Sequence, residues 1–497
     1  MVQAVHADKH KLAYRSNGDL FECSDGGVYM SSNNGGSWTD KTNGIQISQM
    51  YRLGVSQTES EDIITGLQDN GTKLHTGDTW SDVRGGDGME CLIDYTDVNI
   101  QYGTVYFGQI DRTTNHWQSS QNITPPDEGA WVTPYIIDPN DPNTLYGGYN
   151  EVWKTTDRGD NWEQISSFDP NGQLLSMGIA ASDSRYLYVA TYNQIWKTIN
   201  GGAEWTAITN NLPTGGANIE YISVKHDDPN TVWVALSGFG NPGVYQTVDG
   251  GASWTSISAG LPPIPVYSVV ENKQNLDAVH LYAGTDLGVY FKRGNEDWVA
   301  YNTGLPNVRT GEIEIYYAGN PGESKLRVAT YGRGLWETPI EYIPTVMSYA
   351  SSTAVQKNKS NVEPDQVNQE ILKVEVVTTG NLQPFDVTSF TFNTDGSTDP
   401  SHDISNARLF YTGSSGSFAT TNQFGNTVAA PNGTFTITGA QLLSDGKNNF
   451  WLTYDLPPTA ALGNILDAQC TSLVADAEHT LAISAPDGSR TIGYEYC

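Results

Sequence analysis

Positive charge is scarce in this chain. Lysine and arginine together number 26 against 56 aspartates and glutamates, a formal net charge of −30. Such a field repels a phosphate backbone, and no basic patch interrupts it, so nucleic acid is not an expected partner. Cysteine is rare too. Cys23, Cys91, Cys470 and Cys497 show neither a Cys-x-x-Cys pair nor zinc-ligand spacing. One or two disulfides are the most they can form, with Cys470–Cys497 inside one domain the favoured pairing. No stretch approaches the roughly 18 consecutive apolar residues of a membrane-spanning helix, so no membrane insertion is expected. The opening MVQAVHADKH does not read as a signal peptide. Also missing are Gly-x-Ser-x-Gly, a phosphate-binding glycine loop and His-Glu-x-x-His.

What the chain has instead is glycine (51 residues), tyrosine (27), tryptophan (13) and only 16% charged residues in 497. That mix suits short strands and tight turns, and the length predicts more than one domain. Tryptophans close turn-like segments at positions 38, 80, 117, 162, 205, 254 and 298. A recurrence of roughly 40–45 residues built from short strands predicts the blades of a β-propeller. Four of the segments, SSNNGGSW, TTDRGDNW, TINGGAEW and TVDGGASW, fit Ser/Thr-x-Asp/Asn-x-Gly-x-x-Trp, with Asn33 and Trp38, Asp157 and Trp162, Asn200 and Trp205, and Asp249 and Trp254. Glycine at the fifth position permits the turn. The Asp or Asn at the third can satisfy the turn's backbone N–H groups. The tryptophan is expected to bury apolar area against its own blade, worth ~2 kcal/mol. In this reading the motif staples the third strand to the fourth and is not catalytic. The segments KLHTGDTW, IDRTTNHW and FKRGNEDW keep only the tryptophan.

These motifs resemble the Asp-box, or BNR repeat, of bacterial sialidases, sortilin-type receptors and xyloglucanase-type glycoside hydrolases. HADKH, SDGGVYMSSNNGGSW, GLQDNGT and GRGLWE resemble secreted multidomain propeller proteins of Bacteroidetes. The resemblance is specific for fold and nearly silent on function. It implies a secreted or cell-surface protein, of which this chain is a partial version with further domains elsewhere. The expected fold class is all-β. Units one to eight begin near residues 11, 47, 88, 131, 173, 218, 265 and 309, and the eighth lacks a fourth strand. Pairing VQAV at the start with that unit would close an eight-bladed ring; the alternative is seven blades with unit one left over. The propeller is placed at 1–340, a linker at 341–369 and an antiparallel β-sandwich at 370–497. The stretch from TSFTFNTDG to TTNQFG resembles the accessory domain beside Asp-box propellers in bacterial sialidases.

Propeller geometry puts the turns between second and third strands, and the connections between blades, on the face around the channel mouth. His6, Asp8, His10, Asp25, Gln68, Asp69, Asn70, Arg84, Asp87, Glu90, Tyr331 and Arg333 fall on that face. Three readings compete for them. They can form a sugar-binding cleft. Two carboxylates, with Asp69 and Asp87 preferred, can serve as acid and base on a glycosidic bond. Or His6, Asp8 and His10, alternating along an extended segment, can hold a metal. A structural Ca2+ is the cofactor considered, with none certain. Beside these stands the plainer reading, that Asp-Gly and Asp-Asn-Gly are what tight turns use anyway. The arginine triad and Arg-Ile-Pro segment of sialidases are missing. The chain therefore reads as a carbohydrate-recognising module for polysaccharide or glycan, with a glycoside hydrolase and a protein-binding adhesin as the rivals.

Overall fold

A computed structural model describes residues 5–168, 172–240, 243–275 and 278–494. The chain divides into two compact units, 1–342 and 343–497. Among the described residues the only α-helix is the single turn Pro400–Asp403, and no helix is long and apolar enough to cross a membrane.

In the first unit each predicted repeat is one antiparallel sheet whose strands pair in chain order. Seven sheets have four strands; the last, Thr310–Tyr316, Lys325–Thr330 and Gly334–Pro339, has three, as its sequence foretold. Second strands such as Val232–Leu236 are wholly buried, because each is covered by the sheets on both sides. Tyr188, Ile195 and Ile208 of unit five, for example, pack against Ile222, Val234 and Trp254 of unit six. Each such side chain contributes ~1.5–3 kcal/mol of burial, so the core of the ring is a series of blade-to-blade seams.

The ring closes between units eight and two, which corrects the eight-bladed expectation to seven. Glu312 accepts the Leu53 N–H at 3.0 Å. The Gln57 amide donates to the Ile315 carbonyl at 3.0 Å, and Gly332 N–H donates to the Ser48 carbonyl at 3.0 Å. Unit one stays outside. Its first strand, Lys9–Tyr14, is exposed along its whole length, with Leu12 at 58% and Tyr14 at 67%. Two lysines within KHKLAY leave it too polar to line a packed seam. Of VQAV, only Val5 lies within the described residues. Unit one is tied down through its loops instead, by His6 Nε2 on the Asp69 carbonyl (2.8 Å) and Asn70 Nδ2 on the Asp25 carbonyl (3.0 Å).

The Asp-box works as read in its first half and differently in its second. Thr247 donates to Asp249 (2.6 Å) and accepts the Gly251 N–H (2.8 Å), while Asp249 accepts the Ser253 N–H (3.0 Å). The tryptophan, however, reaches out of its own blade. Nε1–H of Trp162, Trp205, Trp254 and Trp298 donates to the carbonyl of Ile123, Ile165, Ile208 and Ile257, at 2.6, 2.8, 2.8 and 2.7 Å. Each acceptor directly follows the fourth strand of the preceding blade. The motif is therefore a lock between blades. Unit three also keeps the turn. Thr113 bonds Asn115 (3.0 Å), Asn115 accepts the Ser119 N–H (2.9 Å), and Trp117 occupies the glycine position at φ 60°.

The second unit is a sandwich. One sheet runs in the order Ser348–Val355, Gln369–Thr379, Gly446–Asp455, Asn406–Tyr411, Gln423–Ala429; the facing sheet runs Thr434–Leu442, Asp386–Asn393, Gln469–Val474, Glu478–Thr480. Val374, Leu409 and Phe450 of the first sheet meet Phe390, Ile437 and Leu473 of the second in a single core. The expected linker at 341–369 is corrected, since Ser348–Val355 within it is an edge strand paired with Gln369–Thr379. Its small polar residues concealed that role. Cys470 is buried in this core, while Cys497 lies outside the described residues.

Candidate functional site

Four of the innermost strands start with the same irregularity. The register slips between Met50 and Arg52, Ile219 and Tyr221, Val266 and Ser268, and Thr310 and Glu312. A bulge of this kind re-aims the extra side chain. The extra residues, Tyr51, Glu220, Tyr267 and Gly311, all line one cavity of ≈ 800 Å³ at the end of the ring that also carries Tyr331. Trp131, Phe107 and Tyr192 complete an aromatic rim, exposed to 41, 40 and 56%. Tyr106 stacks on Trp131 (ring centroids 5.5 Å apart, 15° between planes), and Phe107 meets the same indole edge-on at 5.5 Å. Phe107 is held at φ 61°, a left-handed backbone that a bulky residue adopts only where its surroundings enforce it. Asn150, Gln173, Glu220 and Arg309 supply the polar groups, and the Arg309 guanidinium lies 3.9 Å over the Tyr267 ring.

Gln68 joins this cavity to the predicted sector. Its amide oxygen accepts the Tyr51 and Tyr331 hydroxyls, the latter at 3.4 Å, and the Tyr51 oxygen accepts the Trp131 Nε1–H at 3.1 Å. Of the anticipated residues, Tyr331 lines the cavity and Gln68 braces it. The others divide. Asp87 accepts the Asp69 N–H at 2.9 Å. Burial first, then the charges of Asp87 and Asp25, push the Asp69 carboxyl above its ordinary range. The acid–base reading of Asp69 and Asp87 requires their carboxyls to stand ~5–9.5 Å apart across a glycosidic bond.

The metal set changes as well. His6 spends its ring on the Asp69 backbone, and His10 Nε2 bonds Asp25 at 2.5 Å, which raises the imidazole above its ordinary value. Oxygens of Asp8, Asp25 and Asp69 do gather within 4.8 Å of one another, a donor set of hard-cation type in place of His6, Asp8 and His10. Asn70 is a turn residue, bonded to the carbonyls of Asp25 and Gln68 at 3.0 Å each. Arg84 points away and ties unit two to unit three, through the Gly103 and Gln109 carbonyls and Asp111. Arg333 is exposed; its guanidinium donates to the adjacent Gly332 carbonyl, its N–H donates to Thr330 and its carbonyl accepts the Trp336 Nε1–H.

Glu90 belongs to the channel below the mouth. Arg52 sits between Glu90 (3.2 Å) and Glu312 (3.8 Å). Burial pushes the Glu312 carboxyl up to about 7 and, with the Glu312 charge added, Glu314 to about 8; Glu90 is raised for the same reasons. The channel wall therefore carries less negative charge at neutral pH than its sequence suggests. Sequence reading missed Tyr51, Trp131, Tyr192, Glu220, Tyr267 and Arg309. Three of these lie where the face rule applies: Tyr192 in the turn between second and third strands of unit five, and Trp131 and Arg309 in connections between blades.

Together these features define an Asp-box propeller with an aromatic channel mouth, followed by a β-sandwich. Residues 350–479 match the model for the N-terminal domain of BNR-repeat neuraminidase. No curated protein matches the chain. Among solved structures it is similar to the GH74 xyloglucanase of Xanthomonas campestris (13% identity, TM-score 0.49), covering 67% of this chain and 58% of that one. It is also similar to YCF48 from Cyanidioschyzon merolae (13%, 0.44; 59% and 95%) and to a GH74 enzyme of Niastella koreensis (16%, 0.27; 75% and 73%).

Proposed function

We propose that the propeller is a carbohydrate-recognising module, working at or outside the cell surface, that takes a glycan into the channel-mouth cavity. The aromatic rim carries this reading. Exposed faces of Trp131, Phe107 and Tyr192 offer apolar planes to the C–H faces of sugar rings, while Asn150, Gln173 and Glu220 offer partners to hydroxyls. A rim this apolar, open on a chain of net charge −30, marks a binding surface. The match of residues 350–479, later in the chain, to a neuraminidase-type domain supports a glycan as the ligand.

The test is a panel of polysaccharides in which binding and reducing-end release are read together, with Asp69→Asn and Asp87→Asn alongside. Binding without release is expected, unchanged in kind by either substitution. Release abolished by either one would instead establish a hydrolase. Silence across the panel would remove the glycan reading.

A further inference from the structure

The tryptophan locks run through four consecutive seams and stop at the next one. The four acceptors, Ile123, Ile165, Ile208 and Ile257, each follow a two-residue fourth strand. In unit seven the equivalent residue is Tyr301, which follows Val299–Ala300. Its N–H donates to the Val289 carbonyl at 2.8 Å, just as Ile257 donates to Val244 at 2.9 Å. The fold has thus set Tyr301 in the acceptor's place, but unit eight has no box and, among the described residues, no fourth strand to answer it.

The outer edge of unit eight is equally prepared. In unit six the fourth strand pairs Ser256 with Tyr245 and Thr255 with Gln246. Val244, one residue earlier, gives its N–H to Ser258 Oγ at 3.0 Å and its carbonyl to Ile257 N–H at 2.9 Å. Leu335, Trp336 and Glu337 occupy the corresponding positions in Gly334–Pro339. Among the described residues neither the Tyr301 carbonyl nor the outward backbone of Leu335 has such a partner. Between them lies a cavity of ≈ 230 Å³ walled by Val289, Tyr301, Leu305, Leu326, Val328 and Trp336.

We infer that this slot receives a β-strand from a partner polypeptide, led by a tryptophan and patterned Trp-x-x-Ile. The slot continues an interface already built four times within the chain, and three of those copies, WEQI, WTAI and WTSI at 162, 205 and 254, carry the isoleucine, while WVAY at 298 has tyrosine in its place. The partner's indole N–H donates to the Tyr301 carbonyl and its ring fills the cavity. The two middle residues pair with Trp336 and Glu337, and the isoleucine N–H donates to Leu335. Main-chain pairing supplies affinity and the indole pocket supplies selectivity, as in other strand-addition sites. An uncovered sheet edge is otherwise something proteins blunt.

The experiment uses the full chain and a fluorescein-labelled peptide, GGASWTSIS, copied from residues 250–258. Fluorescence polarisation should show saturable binding that weakens by about tenfold or more when the peptide tryptophan becomes alanine. Leu335→Pro, which removes the N–H at the open edge, should weaken the intact peptide to a similar degree. The peptide arm leaves the protein untouched, so misfolding cannot mimic its result. No saturable binding up to about 1 mM, or equal binding by both peptides, would overturn the inference.

Discussion

Removing one inter-blade lock should cost the propeller more than removing a tryptophan that the same repeat leaves on the surface. Trp254 is 3% exposed and donates to the Ile208 carbonyl of the preceding blade at 2.8 Å, whereas Trp80 is 47% exposed and meets the His75 ring of its own blade at a tilt of 57°. A buried aromatic covers 150–250 Å², which at ~25 cal/mol per Å² corresponds to ~4–6 kcal/mol as an upper bound. Buried Trp→Ala changes typically cost ~3–5 kcal/mol, so Trp254→Ala is expected in that range. Trp254→Phe keeps most of the ring but orphans the Ile208 carbonyl, for about 1–3 kcal/mol. Trp80→Ala should stay within about 1 kcal/mol. Urea unfolding followed by far-UV circular dichroism ranks the three through their midpoints, provided the slope is unchanged. If Trp254→Ala unfolds at the same urea concentration as Trp80→Ala, the inter-blade role is refuted. If Trp254→Phe matches the wild type, the hydrogen bond contributes nothing.

Two further outcomes follow from the charges. Glu314 holds its proton up to about pH 8 in the folded protein against an ordinary value of 4.5. The folded state binds more protons than the unfolded one across that window, so stability is full below it and falls as pH rises towards 8. Glu314→Gln should flatten that fall in melting temperatures recorded from pH 5 to 8; an unchanged slope would mean the carboxyl is ionised throughout. At the Asp8–Asp25–Asp69 cluster, calcium at about 1 mM should raise the melting temperature of the wild type more than that of Asp69→Asn. Asparagine tolerates the left-handed backbone at this position (φ 56°), so the turn survives, and equal shifts would place the ion elsewhere.

Much of the fold was legible because each box declares its own turn. Ring membership was not. SSNNGGSW of unit one is as good a box as TVDGGASW, and only the polar first strand KHKLAY marks unit one as an outsider. Trp117 shows the same limit from the other side. The tryptophan is there and packs against Ile64 and Leu74 of unit two, but it stands in the glycine position of its turn and its Nε1–H donates to Gln101 of its own blade instead of crossing the seam. At the cavity, the positions of Gln68 and Tyr331 were legible because they sit in turns whose face is fixed by topology. Tyr51, Glu220 and Tyr267 were hidden because a bulge, set by the register between two strands, turns them into the cavity. Ser348–Val355 escaped notice for a related reason. A strand of small polar residues takes its identity from its partner, Gln369–Thr379.

The aromatic mouth is the centre of the functional account, and Trp131 is the residue on which it turns. The most direct measurement is isothermal titration of the best oligosaccharide from the panel into wild type, Trp131→Ala and Asp69→Asn. Loss of a stacking face should weaken binding by about tenfold or more in Trp131→Ala, while Asp69→Asn binds as the wild type does. Unchanged affinity in Trp131→Ala, or loss confined to Asp69→Asn, would contradict the account and move the binding surface to the acidic turn.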